Sequence, residues 1–349
     1  MASSRPKNHT IQSLGQTDLN VLSSQRSGLF GLSILWIMLF HSTLTLPGEP
    51  LRLVKTMGYA GADVFLLLSG LGLYYSMERD SVPLRFYQKR ALRVLLPYLL
   101  AALVYEGSRC LLGLQGLGAA LRNLTFVSLF RDGDLSNWFV AFILLCYLAY
   151  PFLYRAVKSK YRWLWALLLV AGSLALSRLM FLTARPLFFR IYGLLFRIPV
   201  FLVGCFLAPL VKEGRPLKAF PTLVVCGLGT GLSLAVWTIT EPWYLRLLPL
   251  LPLSLFLSLG VATLLAWLPK EGWLQRPLEA LGSITLEIYL IHERLLGFLG
   301  RAVFPNHQGS VELNGLAVLL AVALAWGLKK LCDGIRGKAK KGRSSYDGK

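Results

Sequence analysis

Acidic residues are scarce in this chain of 349 residues: 17 Asp and Glu stand against 37 Lys and Arg. Charged residues make up 15% in all, where a soluble domain carries about 25%. That shortage, with 55% hydrophobic residues and a mean hydropathy of +0.57, excludes an ordinary soluble enzyme. The five cysteines have no CxxC spacing, and four of them lie in apolar runs. Neither a zinc site nor a disulfide framework is indicated, and small buried apolar residues are the simpler reading. There are four histidines. No internal repeat is visible, so symmetry gives an inverted-repeat transporter no support. The first 27 residues lack the apolar core of a signal peptide and read as a polar tail.

Apolar runs able to span ~30 Å of hydrocarbon are abundant. Ten are expected, at 28–46, 58–78, 91–113, 136–157, 163–183, 187–211, 220–240, 244–267, 280–300 and 313–332. Pro199, Pro249 and Pro252 interrupt the sixth and eighth. The stretch 114–135 has room for a short interfacial helix. If the N-terminus is cytoplasmic, the cytoplasmic segments hold 25 Lys/Arg, the outer loops eight and the spans four. This asymmetry follows the positive-inside rule and supports an even helix count. The fold class is therefore an all-α polytopic membrane protein with both termini cytoplasmic. It divides into a disordered tail over 1–27, a membrane domain over 28–332 and a basic tail over 333–349. The net charge of +20 and pI near 10.0 could suggest a nucleic-acid partner. Topology accounts for most of that charge, so no nucleic acid is expected. Lys338–Arg343 fit a topology anchor or contact with anionic membrane lipid.

Ionisable side chains inside a membrane are costly and mark candidate functional positions. His41 and Asp63 each lie five residues from the outer end of adjacent spans, ~8 Å deep at 1.5 Å per residue. Their matched depth predicts a His41–Asp63 contact, either a general-base pair or a structural ion pair. Glu106 and Arg109 are three apart, a spacing that predicts local neutralisation. Thr285, Tyr289 and His292 share one helical face; Ser283, Glu287 and Arg294 share another. Arg197, beside Pro199, needs a partner or a wet cavity. Lys89, Arg90 and Arg93 cluster at the cytoplasmic start of the third span, where they suit a phosphate-bearing ligand or plain positive-inside anchoring. No metal is expected.

Six motifs in one order resemble the family-three integral membrane acyltransferases. Ser27–His41 resembles the family's first helix, which ends in His. Gly61-Ala-Asp-Val-Phe-Leu-Leu-Leu-Ser-Gly70, containing Ser69, is similar to its second-helix block. Phe86-Tyr-Gln-Lys-Arg-Ala-Leu-Arg-Val-Leu-Leu-Pro-Tyr98 is similar to its basic block. Asn137-Trp-Phe with Tyr147 and Pro151, Arg197–Gly204, and Leu281–His292 with Glu287 complete the set. One departure stands out. Family members commonly carry Arg eleven residues before the first-helix His; here that residue is Phe30, with Arg26 one turn earlier on the same face.

The resemblance implies O-acyl transfer from cytoplasmic acetyl-CoA to a hydroxyl of an envelope carbohydrate or small hydroxylated acceptor. It implies His41 as general base or transient acyl carrier, Asp63 as its orienter, and Arg197 or His292 as oxyanion stabiliser. Lys89, Arg90 and Arg93 would hold CoA phosphates, with Ser69, Trp138, Glu287 and Arg26 in support. Two alternatives share these features: a secondary transporter or flippase, and a non-catalytic membrane protein of the same fold.

Overall fold

The computed structural model describes residues 16–346, with side chains through residue 337. Its only strands among the described residues are β1 (Gln16–Asp18) and β2 (Pro216–Lys218), paired antiparallel with Thr17 opposite Leu217. The rest is helical. The principal helices are α1 (Arg26–His41), α2 (Gly61–Arg79), α3 (Pro83–Leu111), α4 (Trp138–Lys158), α5 (Arg162–Thr183) and α6 (Arg185–Leu195). They continue with α7 (Ile198–Glu213), α8 (Ala219–Ile239), α9 (Leu250–Leu265), α10 (Gln275–Gly282), α11 (Thr285–Phe298) and α12 (Val311–Tyr346).

Eight helical stretches among the described residues are long and apolar enough to cross a membrane. The chain is thus a polytopic all-α membrane protein. The other two expected spans correspond to α1 and α11, of 16 and 14 residues. At 1.5 Å per residue they reach ~24 and ~21 Å, short of the hydrocarbon thickness. α1 ends in His41, and α11 carries His292 near its middle.

Burial separates an inner from an outer set. The α2 stretch is 83% buried in its most apolar window and the α6–α7 stretch 78%, against 11% for α5 and 17% for α8. Helices in lipid gain no hydrophobic attraction for one another, so close backbone approach must hold them. Small residues supply it here. A Cβ at Gly204 on α7 would collide with the Leu67 carbonyl of α2, and one at Gly70 with the Phe201 carbonyl. Likewise Gly31 on α1 faces the Leu278 carbonyl of α10, and Gly282 faces the Ser27 carbonyl.

The prolines do not break helices in mid-span. Pro199 lies in the first turn of α7, after a non-helical step at Phe196–Arg197. Pro249 immediately precedes α9 and Pro252 lies in its first turn. First-turn positions leave N–H groups unpaired anyway, so proline there costs little.

One end of the bundle is tied by charge. The Glu78 carboxylate accepts from Lys212 Nζ at 2.6 Å, Lys158 Nζ at 3.0 Å and the Tyr154 hydroxyl at 2.5 Å. The β1–β2 pair also lies at this end. It is the basic end, and His41 lies at the opposite end.

The tail expected over 1–27 is shorter than its polarity suggests. Residues 1–15 lie outside the described residues, but 16–27 are folded. Val21 and Leu22 are 4% and 2% exposed, and Gln275 Nε2 donates to Gln25 Oε1 at 2.9 Å. Two apolar residues were too short a run to register beside the membrane spans. At the other terminus α12 continues to Tyr346, so most of the segment expected as a basic tail is helical. The side chains of Lys338–Arg343 lie outside the described residues. The stretch 114–135 holds two short helices, Leu117–Leu124 and Val127–Asp132.

Candidate active site

The last turn of α1 presents His41 to α11, not to α2. His41 Nδ1 lies 3.1 Å from His292 Nε2. His292 Nδ1 lies 3.0 Å from the Ile288 carbonyl and 3.1 Å from the Tyr289 carbonyl. A carbonyl only accepts, so His292 Nδ1 carries the hydrogen. The neutral His292 ring must then accept at Nε2, which makes His41 Nδ1 the donor. The Ile37 carbonyl, 3.1 Å from the same nitrogen, favours the same tautomer. His41 Nε2 is therefore left with a free lone pair, as a base requires. Glu293 Oε2 lies 3.7 Å from that nitrogen, close enough to stabilise the ring once it is protonated.

Asp63 takes a different partner from the one expected. It is fully buried, and Arg197 Nε lies 3.2 Å from its Oδ1 and donates to its Oδ2 at 3.3 Å. The predicted His41–Asp63 contact is absent, because matched depth fixes height along a helix and not the direction a side chain points. Asp63 turns toward α7, where the break at Phe196–Arg197 frees Arg197 to meet it. Arg197 Nη1 also donates to the Gly193 carbonyl at 3.2 Å, and its guanidinium stacks 4.7 Å from the Trp138 ring. Two buried opposite charges this close tolerate burial where either alone would not, although Asp63 Oδ1 has no hydrogen-bond partner among the described residues.

His41, Arg197, Trp138, Tyr59 and Tyr192 line one cavity of about 420 Å³ at this end. The histidine pair and the arginine pair are therefore one site. Glu106 and Arg109 do not neutralise each other as their spacing predicted. Glu106 Oε2 accepts from Gln115 Nε2 at 2.6 Å and Asn123 Nδ2 at 3.1 Å, while Arg109 Nη1 donates to the Tyr105 hydroxyl at 3.2 Å. Glu106 anchors the loop beyond α3. Arg294 donates to Asn137 Oδ1 at 2.7 Å, pinning α11 to the start of α4.

A second set of cations gathers at the basic end. Arg26, Arg90 and Arg93 line a small pocket with Ser69, Tyr147 and Phe30. The Arg26 guanidinium sits 4.9 Å from the Phe30 ring centre, so it does reach the level of Phe30. Arg26 Nε and Arg90 Nε are buried without a hydrogen-bond partner among the described residues. Buried donors are almost always paired, so these two fit an anion. Lys89 does not line this pocket; it donates to Asp80 Oδ2 at 2.7 Å, which holds the Asp80 carboxyl below the usual carboxylate range, and it lies on a larger cleft beside the pocket. Arg93, Thr285 and Leu286 also border this cleft of about 720 Å³, open at the same end and lined by Glu287, Lys329 and Arg336. A nucleotide-sized ligand could lie there with its phosphates toward Arg26, Arg90 and Arg93. Among the described residues no three His, Cys, Asp or Glu side chains gather in a metal-binding group.

Residues 29–330 match the model of the family-3 acyltransferase domain. The chain belongs to this family. No curated protein and no solved structure matches it. It is a multi-pass membrane acyltransferase. Several residues of this acyltransferase's outer cavity escaped sequence reasoning: Tyr59, Tyr192, Trp243 and Arg246. Their only signal is aromatic enrichment near span ends, which is equally the signature of an interfacial belt.

Proposed function

We propose that the protein is an O-acyltransferase that takes an acetyl group from cytoplasmic acetyl-CoA and places it on a hydroxyl of an envelope carbohydrate or related acceptor. The site lies in a bacterial cytoplasmic membrane, with the basic end cytoplasmic. One observation carries this reading. The basic pocket, where Arg26 Nε and Arg90 Nε lack partners, and the cavity of His41 and Arg197 lie at opposite ends of the bundle and have Tyr289 as a common wall. A thioester held by phosphates on one side can thus be offered to a base on the other.

In the chemical step the acceptor oxygen attacks the thioester carbonyl carbon while its proton passes to His41 Nε2. The carbonyl oxygen becomes an oxyanion within the cavity that Arg197 lines. Collapse breaks the C–S bond, and the proton passes from His41 to the departing CoA sulfur, leaving the ester. His292 holds the His41 tautomer throughout, and Glu293 offsets the transient imidazolium charge. Asp63 keeps Arg197 in place.

His41→Ala, at wild-type abundance in the membrane, should abolish protein-dependent O-acetylation as read by mass spectrometry of envelope glycans. Unchanged acetylation would refute the reading.

A further inference from the structure

Tyr289 is a wall of two spaces that open in opposite directions. It borders the pocket of Arg26, Arg90 and Arg93, and it borders the cavity of His41 and Arg197. Its ring centre lies 5.2 Å from that of Phe139; Phe139 lies 6.1 Å from Phe65, and Phe65 lies 5.2 Å from Phe30. These four rings come from α11, α4, α2 and α1, while α3 contributes Arg90, Arg93 and Val94 to the same pocket. The pocket they border on the basic side holds about 80 Å³. Beyond them the outer cavity reopens to about 420 Å³.

We propose that Tyr289, backed by Phe139, is the septum that seals the bundle between its two faces, and that the donor arm swings it aside to bring the thioester to His41. The physical case is that both spaces carry arginine and tyrosine side chains and are large enough for water. Joined, they would form a wet path lined by arginines from one face to the other. A membrane enzyme of this kind must prevent that leak, and apolar constrictions do so by dewetting. An aromatic ring suits the task, because it fills the passage and moves by rotation about only two side-chain torsions. The sealing role stands on geometry alone. The donor-arm role rests on the acyl-transfer reading.

The test uses the full chain reconstituted in sealed phosphatidylethanolamine/phosphatidylglycerol vesicles loaded with a pH-sensitive dye. Under an imposed potassium diffusion potential, proton influx is read for wild type, Tyr289→Phe and the double variant Tyr289→Ala/Phe139→Ala. Wild type and Tyr289→Phe should be tight, and the double variant should leak about tenfold faster, as a dewetted constriction made wet would. The same double variant should hydrolyse acetyl-CoA without acceptor, because outer water reaches the thioester. A folded double variant as tight as wild type would overturn the proposal. Should that variant fail to fold, Tyr289→Cys serves instead. Membrane-impermeant thiol reagents should label it from either face, and labelling from one face only would overturn the proposal. Leakage in the double variant alongside no acetyl-CoA use by wild type would keep the seal and reject the acyl-transfer reading.

Discussion

Arg90 illustrates how much a single side chain's partner matters. Its sequence neighbour Lys89 belongs to the same basic turn, and the two look equivalent as charges. In the fold Lys89 is committed to Asp80 at 2.7 Å, while Arg90 Nε is buried without a partner among the described residues and its guanidinium lies over Phe86 and Tyr147. Binding a phosphate should therefore depend on Arg90 and Arg93 far more than on Lys89. Hydrogen bonds to charged groups contribute ~1.5–3 kcal/mol, so Arg90→Ala or Arg93→Ala should raise the apparent KM for acetyl-CoA ~10- to 100-fold. Lys89→Ala should leave it within about twofold, since an exposed ion pair contributes little. Steady-state kinetics in membranes decides this, and equal effects at the three positions would refute the distinction. Residue types and depth were readable from the chain: His41, Asp63, Arg197 and His292 all belong to the outer site. Pairing was not. Which way Asp63 points depends on helix rotation and on where α7 begins, and neither leaves a mark in local pattern.

At the level of elements, apolar runs and loop charges located the long helices because lipid thickness imposes length directly. Boundaries near Pro199, Pro249 and Pro252 became clear only in the fold, where the prolines open helices. Segment 16–27 reads as a polar tail in sequence because its contacts with α2, α10 and β2 join residues far apart in the chain. Packing of α2 on α7 hinges on backbone contact at Gly204 and Gly70. This contact holds Asp63 against Arg197. Gly204→Val should force the two helices apart at a cost of about 1–3 kcal/mol. It should lower the thermal unfolding midpoint of the detergent-solubilised protein. Gly107→Ala, on a face of α3 with nothing within 4 Å of the added atom, should leave the midpoint unchanged or slightly raised, as alanine favours helix. An equal drop for both would mean that the α2–α7 contact is not special.

Taken whole, the molecule separates its chemistry by face. Arginines with unpartnered Nε atoms gather at one end, a histidine pair and a buried ion pair at the other, and four aromatic rings stand between. Most of the +20 charge gathers in alternate loops, an unevenness already visible in the sequence. The shared wall could not be read beforehand, since Tyr289 looks in sequence like one more residue on the Thr285–His292 face. Sidedness of the reaction tests this account most directly. Radiolabelled acetyl-CoA is supplied to sealed vesicles of each orientation, and label in the envelope acceptor is counted. The account predicts transfer when acetyl-CoA meets the basic end, in inverted vesicles, with product facing the lumen and its loss in His41→Ala. Equal transfer from right-side-out vesicles, or product on the same face as the donor, would contradict it.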